Sequence, residues 1–355
     1  MNNKKLGKEA MEIGEHLRLL TRDNYGGRKK LRAAEICMNQ QLTYDSIRGC
    51  RGKAVIISND AKGCYDRIAH TVAKLALRKL GASRTGLHSM INTIQRMRHY
   101  IRTAFGNSEQ TYGQEEHELP SQGILQGNGA GPATWSVICT LIVNAMKEEG
   151  FGYKQWTLIS KRAVTLTCFA FVDDTDLIHA ETAHDASTED LLMSAQDTLA
   201  TWEGLITSTG GSLAPEKSYW YLLDMVRRNG RWGYRHSKTD EDLVLSNNGE
   251  PQIITRHRAN VANGALGIQT RPDGKMQDER DCLLQKASKW AEAVRTKRLS
   301  RSEAWCCVQS TIMKTLEYPL VATSLSRSDV DTIMTVSYTH LRAHETKANL
   351  VCRLL

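Results

Sequence analysis

The sequence predicts an α+β fold in which helices back an antiparallel sheet. Three observations predict it. Val55-Ile56-Ile57 is a short, β-branched apolar run that leads to Asp60, the pattern of a buried strand. Residues 163–172 and 177–180 are two further strand-like stretches with acidic residues between them, so they read as a hairpin with carboxylates at its tip. Around these strands apolar residues recur at helical spacing, most clearly between Pro132 and Gly150.

The first 25 residues are charged and helical in pattern, with Leu17, Leu19 and Leu20 as their apolar contacts. Tyr25-Gly26-Gly27-Arg28 is a glycine turn, and a second helix is expected over about 31–48. From Arg67 to Leu80 the pattern is helical, with Ile68, Val72, Leu75, Ala76 and Leu80 on one face and Gly81 as the stop. Pro132 suits the first turn of the next helix, where Trp135, Ile138, Cys139, Ile142, Ala145 and Met146 line up. The acidic hairpin comes next, then a helix over 188–206, the pair Gly210-Gly211, and the aromatic run Tyr219-Trp220-Tyr221. Lys and Arg become dense from about 226, and a boundary is placed there. A helix over 279–296 puts Leu283, Ala287, Trp290 and Val294 on one face, and Ser300-Arg301-Ser302-Glu303 is a capping box opening another. There is no internal repeat.

The 355 residues are 41% hydrophobic and 24% charged, which excludes a disordered chain and fits two or three structural units. A net charge of +8 and a pI near 9.0 imply a polyanionic partner without naming one. Nine scattered cysteines include no C-x-x-C pair, so they are expected as reduced thiols and not as a zinc site. The polar opening residues and the shortness of the longest apolar run, about 137–146, predict no membrane span. The expectation is an intracellular protein, cytoplasmic or nuclear.

Asp60, Asp173 and Asp174 all stand at ends of apolar strands. Isolated carboxylates are costly where strands are buried, and a shared cation removes that cost. An all-oxygen donor set suits Mg2+, with Mn2+ as a substitute. Two such ions can activate a hydroxyl and stabilise the leaving oxygen of a phosphoryl transfer. Gly127-Asn128-Gly129-Ala130-Gly131 is no dinucleotide loop, because Pro132 takes the third glycine position and no strand leads into it.

Four segments, in order, resemble the palm motifs of reverse transcriptases, nearest to the non-LTR retrotransposon type: NDAKGCYDRI (59–68), LQGNGAGPATW (125–135), FAFVDDTDL (169–177) and GGSLAPEKSYWYL (210–222). The likeness covers roughly residues 23–325. It implies a right-hand polymerase palm with partial fingers and a helical thumb. It also implies two-metal DNA synthesis on an RNA template from a DNA primer and dNTPs. Asp60, Asp173 and Asp174 would hold the metals, Asp173 ranking above Asp174 because strand neighbours point to opposite faces. Lys217 would approach the triphosphate. Tyr65 would lie under the sugar and exclude a 2′-hydroxyl, while Gln126 and Gly127 would lie beneath the incoming base and template. Asp66 and Arg67 match the end of their motif, and a helix start explains them equally well. Ala265-Leu266-Gly267-Ile268 resembles the segment that holds the primer end.

The implied divisions are 1–58 partial fingers, 59–225 palm and 226–335 thumb. Residues 336–355 leave the likeness and resemble a translated adaptor, and a basic fingers segment is expected upstream of residue 1. In the basic region Arg227, Arg228 and Arg231, interleaved with Trp220, Tyr221, Trp232 and Tyr234, and the helix residues Lys286 and Lys289 are expected to grip nucleic acid. Two other readings are an RNA-dependent RNA polymerase, which Tyr65 disfavours, and a non-catalytic reverse-transcriptase-derived RNA-binding protein, which the intact carboxylates disfavour. Oligomeric state is not legible.

Overall fold

A computed structural model describes residues 3–111, 122–157, 159–180, 187–235, 242–247, 249–297 and 299–342. Its principal elements are α1 (Asn3–His16), α2 (Ala33–Cys50), β1 (Ala54–Asp60), α3 (Cys64–Arg67), α4 (His70–Lys79), α5 (Arg84–Gln95), α6 (Gly131–Glu148), β2 (Cys168–Phe171), β3 (Asp174–His179), α7 (Thr188–Ser208) and β4 (Tyr219–Leu223). After these come β5 (Met225–Arg228), β6 (Arg231–Tyr234), β7 (Thr255–His257), β8 (Asn263–Ala265), β9 (Ile268–Thr270), α8 (Gln277–Thr296), α9 (Arg301–Cys307), α10 (Met313–Glu317) and α11 (Arg327–Arg342). The fold is α+β. The chain forms two compact units: residues 1–31 with 52–257, and 32–51 with 258–355. The break therefore falls at 257/258, with α2 in the second unit.

The first unit is built on a five-stranded sheet of order β7-β4-β1-β3-β2. β1 is central and antiparallel to both neighbours, so Ala54 to Ile57 are buried on both sides. The sheet is mixed where a wholly antiparallel one was expected, because β7 joins the edge parallel to β4. Val55, Ile57 and Leu177 from the sheet pack with Leu77, Ile91, Ile142 and Trp202 from the helices in one continuous core. Local chemistry sets the helix starts. Ser83 caps α5, Pro132 occupies the first turn of α6, and Ser187 with Asp190 forms a capping box on α7.

Several local expectations change. The helix read over 67–80 breaks at Ile68 and Ala69, and its second part buries Ala73, Ala76 and Leu77 while Leu75 is 62% exposed. The strand read over 163–172 is interrupted at the buried Thr167; its first half, Ala163–Leu166, pairs with Tyr153–Trp156 in a separate ribbon. Leu20 joins the core as expected, while Leu17 and Leu19 are exposed, and α1 faces the core through Leu6 and Ala10.

In the second unit, Leu283, Ala287 and Val294 of α8 pack with Ala304, Ile312, Leu316 and Ile333. Trp290, expected on that face, is exposed, and Ala291 is buried. The Ser300–Glu303 capping box forms as read. Ala34 and Cys37 of α2 pack with Ile268 and Ala322, which ties that early helix to the late part of the chain. The 265–268 segment is the tip of the β8–β9 hairpin, with Leu266 and Gly267 both at positive φ. No helix among the described residues is long and apolar enough to cross a membrane.

Candidate active site

Asp60 is the last residue of β1, and its cross-strand partner is Asp174, the first residue of β3. Residues directly opposite one another share a face of the sheet, so these two carboxylates face the same way. Asp173 lies in the two-residue turn between β2 and β3. The alternation used to separate it from Asp174 therefore does not apply. The Asp174 carboxyl is held above the usual carboxylate range by burial, then by the charges of Asp173 and Asp60, against the opposing effect of Lys217. The three aspartates thus form one field of negative charge at the sheet end.

Val172 precedes Asp173 with φ +62°. A positive φ at the first position of a two-residue hairpin turn favours glycine, and for a β-branched residue it is a strained conformation costing about 1–3 kcal/mol. Surrounding groups hold it. The buried Trp135 of α6 donates its Nε1–H to the Val172 carbonyl at 2.6 Å. Gly26 backs onto the same residue, where a Cβ would sit 2.5 Å from the Val172 nitrogen. The segment before Gly26 runs along β2: Tyr25 N–H donates to Ala170 O, and Ala170 N–H donates to Asp23 O, both at 2.9 Å. Arg28 completes this brace through two bonds to Glu15 at 2.7 and 2.9 Å and one to Asn24 O at 3.0 Å. The Tyr25–Arg28 glycine turn and the Trp135 helix are visible in the sequence, but that both serve the acidic hairpin is not.

Lys217 ends the short turn Pro215–Lys217. That turn is stitched to the exit of β1: Ala214 N–H donates to Asp60 O at 2.9 Å and Lys62 N–H to Ser212 O at 2.8 Å. The Lys217 ammonium donates to Asp60 Oδ2 at 2.7 Å, and this bond raises its proton affinity above the ordinary lysine value. Lys217 is exposed, so the pair adds little stability; its consequence is a cation at the carboxylates.

Tyr65 lies on α3, just past Asp60, half-buried against the core. Its carbonyl accepts from Ile124 N–H at 2.7 Å, and the Asp66 carboxylate accepts from Gln126 N–H at 2.9 Å. Gly123, at φ +76°, presses on the Asp66 backbone, leaving no room for a Cβ. These contacts bring the 123–127 loop against α3, with Gln126 and Gly127 exposed. Asp66 thus has a definite structural task. Burial, then Cys64 and Asp173, push the Tyr65 hydroxyl up, so it is a neutral ring and hydroxyl.

The basic candidates fall on two elements. Arg227, Arg228 and Arg231 are exposed on the β5–β6 ribbon, while Lys286 and Lys289 are on α8 of the second unit. Trp220 and Tyr221 are buried in β4 and so cannot stack on a ligand, contrary to expectation. Trp232 is 42% exposed.

An all-carboxylate donor set is of the chemical type a hard divalent cation takes; its placement is a separate matter. Among the described residues no three His, Cys, Asp or Glu side chains already stand together as a metal cage; Lys217 is the cation beside Asp60.

No protein-family model and no curated protein matches the chain. Solved structures similar to it include telomerase from Candida albicans in complex with a TWJ fragment of telomeric RNA. That likeness has 12% identity and a TM-score of 0.44, over 97% of this chain and 52% of that one. Apo telomerase from Candida tropicalis is similar at 12% identity and a TM-score of 0.43, over 96% and 50%. The form of that telomerase truncated from the C-terminal domain gives 12% and 0.39, over 62% and 40%. The chain spans about half the length of these telomerases, or less.

Proposed function

We propose that this chain is a reverse transcriptase, an RNA-directed DNA polymerase of the retroelement type that joins dNTPs to a primer 3′-hydroxyl. The observation that carries the reading is the cross-strand pair Asp60–Asp174, with Asp173 on the adjoining turn and Lys217 bonded to Asp60. Asp60, Asp173 and Asp174 would hold two Mg2+ ions, which when bound supply Lewis acidity to the phosphoryl oxygens and the hydroxyl. In the transfer the primer 3′-hydroxyl gives its proton to water and its oxygen attacks the α-phosphorus, forming the new ester bond as the α–β phosphoanhydride bond breaks and pyrophosphate leaves. Lys217 keeps its proton at neutral pH, so its ammonium can neutralise the triphosphate and donate a proton to the departing pyrophosphate. Tyr65 supports the sugar, and Gln126 and Gly127 lie under the base and template.

The test is primer extension by the whole chain on an RNA template with a DNA primer, dNTPs and Mg2+. Asp60→Asn and Asp173→Asn should each lower the rate roughly a thousandfold or more. A second reading, a non-catalytic RNA-binding protein derived from such enzymes, is favoured by one observation: Lys217 already engages Asp60, with no metal cage among the described residues. RNA binding without any extension would select it. Extension with ribonucleotides alone would mean an RNA polymerase.

A further inference from the structure

The β5–β6 ribbon lies away from the carboxylates. β4 runs antiparallel to β1, with Tyr219 opposite Ser58 and Leu223 opposite Ala54. The chain therefore leaves β4 for the ribbon at the end of the sheet opposite Asp60, about 20 Å away at the rise of a strand. Asn229-Gly230 forms its two-residue turn, with φ +49° and +76°, the geometry that an Asn-Gly pair favours.

The pairing places like charges together. Arg228 is directly opposite Arg231, and Arg227 is directly opposite Trp232. Arg228 and Arg231 thus share one face of the ribbon, and Arg227 shares the other with the indole. All four are exposed. Like charges directly opposite one another destabilise a strand pair, and a two-stranded ribbon is marginal by itself. Among the described residues none of the three arginines forms an ion pair with a carboxylate. The base of the ribbon, by contrast, is firmly held. Arg235 N–H donates to Asp224 O at 2.8 Å, the Arg235 guanidinium pairs with the buried Asp224 carboxylate at 2.5 Å, and Thr188 of α7 donates to that carboxylate at 3.0 Å. The element is a cationic tip on a fixed base.

We infer that this ribbon binds single-stranded nucleic acid, its arginines holding backbone phosphates while Trp232 stacks on a base. Guanidinium forks match phosphate oxygens in charge and geometry, and an exposed indole gives any base a flat partner. The Arg227–Trp232 pair offers both contacts on one face. An anionic membrane would also attract the charge, yet the ribbon offers one exposed apolar ring and no apolar face to insert. The inference needs neither a divalent ion nor a dNTP, so it stands apart from the polymerase reading.

The experiment is fluorescence anisotropy of unstructured RNA and DNA oligonucleotides of one sequence on the whole chain, across a salt series, without divalent ion or dNTP. The two oligonucleotides distinguish the strand type. Replacing Arg227, Arg228 and Arg231 together with Gln should weaken binding about tenfold or more at low salt. The slope of log affinity against log salt should fall by about 2, at roughly 0.7 per phosphate contact. Replacing all three with Lys should keep most of that slope. Trp232→Leu should weaken binding about tenfold with the slope unchanged. Circular dichroism of each variant reports the fold, and the Lys variant preserves the comparison if the Gln variant unfolds. Unchanged affinity and slope in the Gln variant would overturn the inference. So would ribbon-dependent binding to phosphatidylserine vesicles with oligonucleotide binding intact.

Discussion

Trp135 and Tyr65 show how single residues set the site. The Val172 carbonyl receives the Trp135 indole N–H while its own backbone is at positive φ, so the bond fixes the turn that carries Asp173. Trp135→Phe keeps the apolar bulk and removes the donor. It should cost about 1 kcal/mol of stability, the net worth of a part-buried hydrogen bond, measurable by thermal melting. In primer extension it should lower kcat more than it raises KM, because the loss is in carboxylate placement. An unchanged kcat would make Trp135 core packing alone. Tyr65 stands where the Asp173 charge acts on its hydroxyl. Under the polymerase reading, Tyr65→Ala should reduce the preference for dNTP over NTP by one or two orders of magnitude in kcat/KM, about 1–3 kcal/mol of discrimination. An unchanged ratio would reduce it to a core aromatic. That Tyr65 and the aspartates stand at the ends of strands and at a helix start was legible because their motifs are local. Val172 was not, since nothing in a valine between two strands announces a strained turn.

Between elements, the brace from α1 to β2 runs through Glu15 and Arg28. Arg28 is 9% exposed in its side chain and Glu15 36%. The guanidinium holds the Glu15 carboxyl below its usual range, mainly through the side-chain hydrogen bond and against burial. A depressed carboxylate stabilises the fold above its unfolded pKa of about 4.3. That contribution is lost as pH falls through the lower folded value. Glu15→Gln should lower the melting temperature at neutral pH by a few degrees, since it leaves a mostly buried Arg28 without its charge partner. The difference from wild type should shrink as pH drops below about 4. A constant difference down to acid would show that the loss is of packing. The glycine turn at the end of this brace was visible in the sequence; its partner, the edge of β2, was not, because the bridge joins Asn24 to Ala170.

At the scale of the whole molecule, two units each carry their own apolar cluster. The boundary expected near 226 followed charge density, whereas the contact break at 257/258 follows where the chain leaves β7. Residues 336–355, which leave the likeness, were expected to contribute little core, so that deleting them would leave thermal stability unchanged. Yet α11 continues through Arg342, and Val336 packs partly buried on the second cluster; 343–355 lie outside the described residues. Truncation after Thr335 should therefore lower the melting temperature of the second unit by a few degrees, about the effect of 1 kcal/mol. Calorimetry reads this directly, and an unchanged transition would restore the expectation of a dispensable tail.

By itself the sequence determined the central strand up to Asp60, the acidic hairpin, the capped helices and the basic balance. Each rests on periodicity, turn chemistry or charge within a short window. Only tertiary structure decided that Asp60 lies opposite Asp174, that Lys217 reaches Asp60, and that Trp135 bonds to the Val172 turn. It also decided that Trp220 is buried rather than presented, and that α2 belongs with the late part of the chain. These outcomes depend on strand register and packing between residues far apart in sequence. Neither register nor packing partner is written in the local pattern, because the same amphipathic stretch can bury its face against any complementary surface.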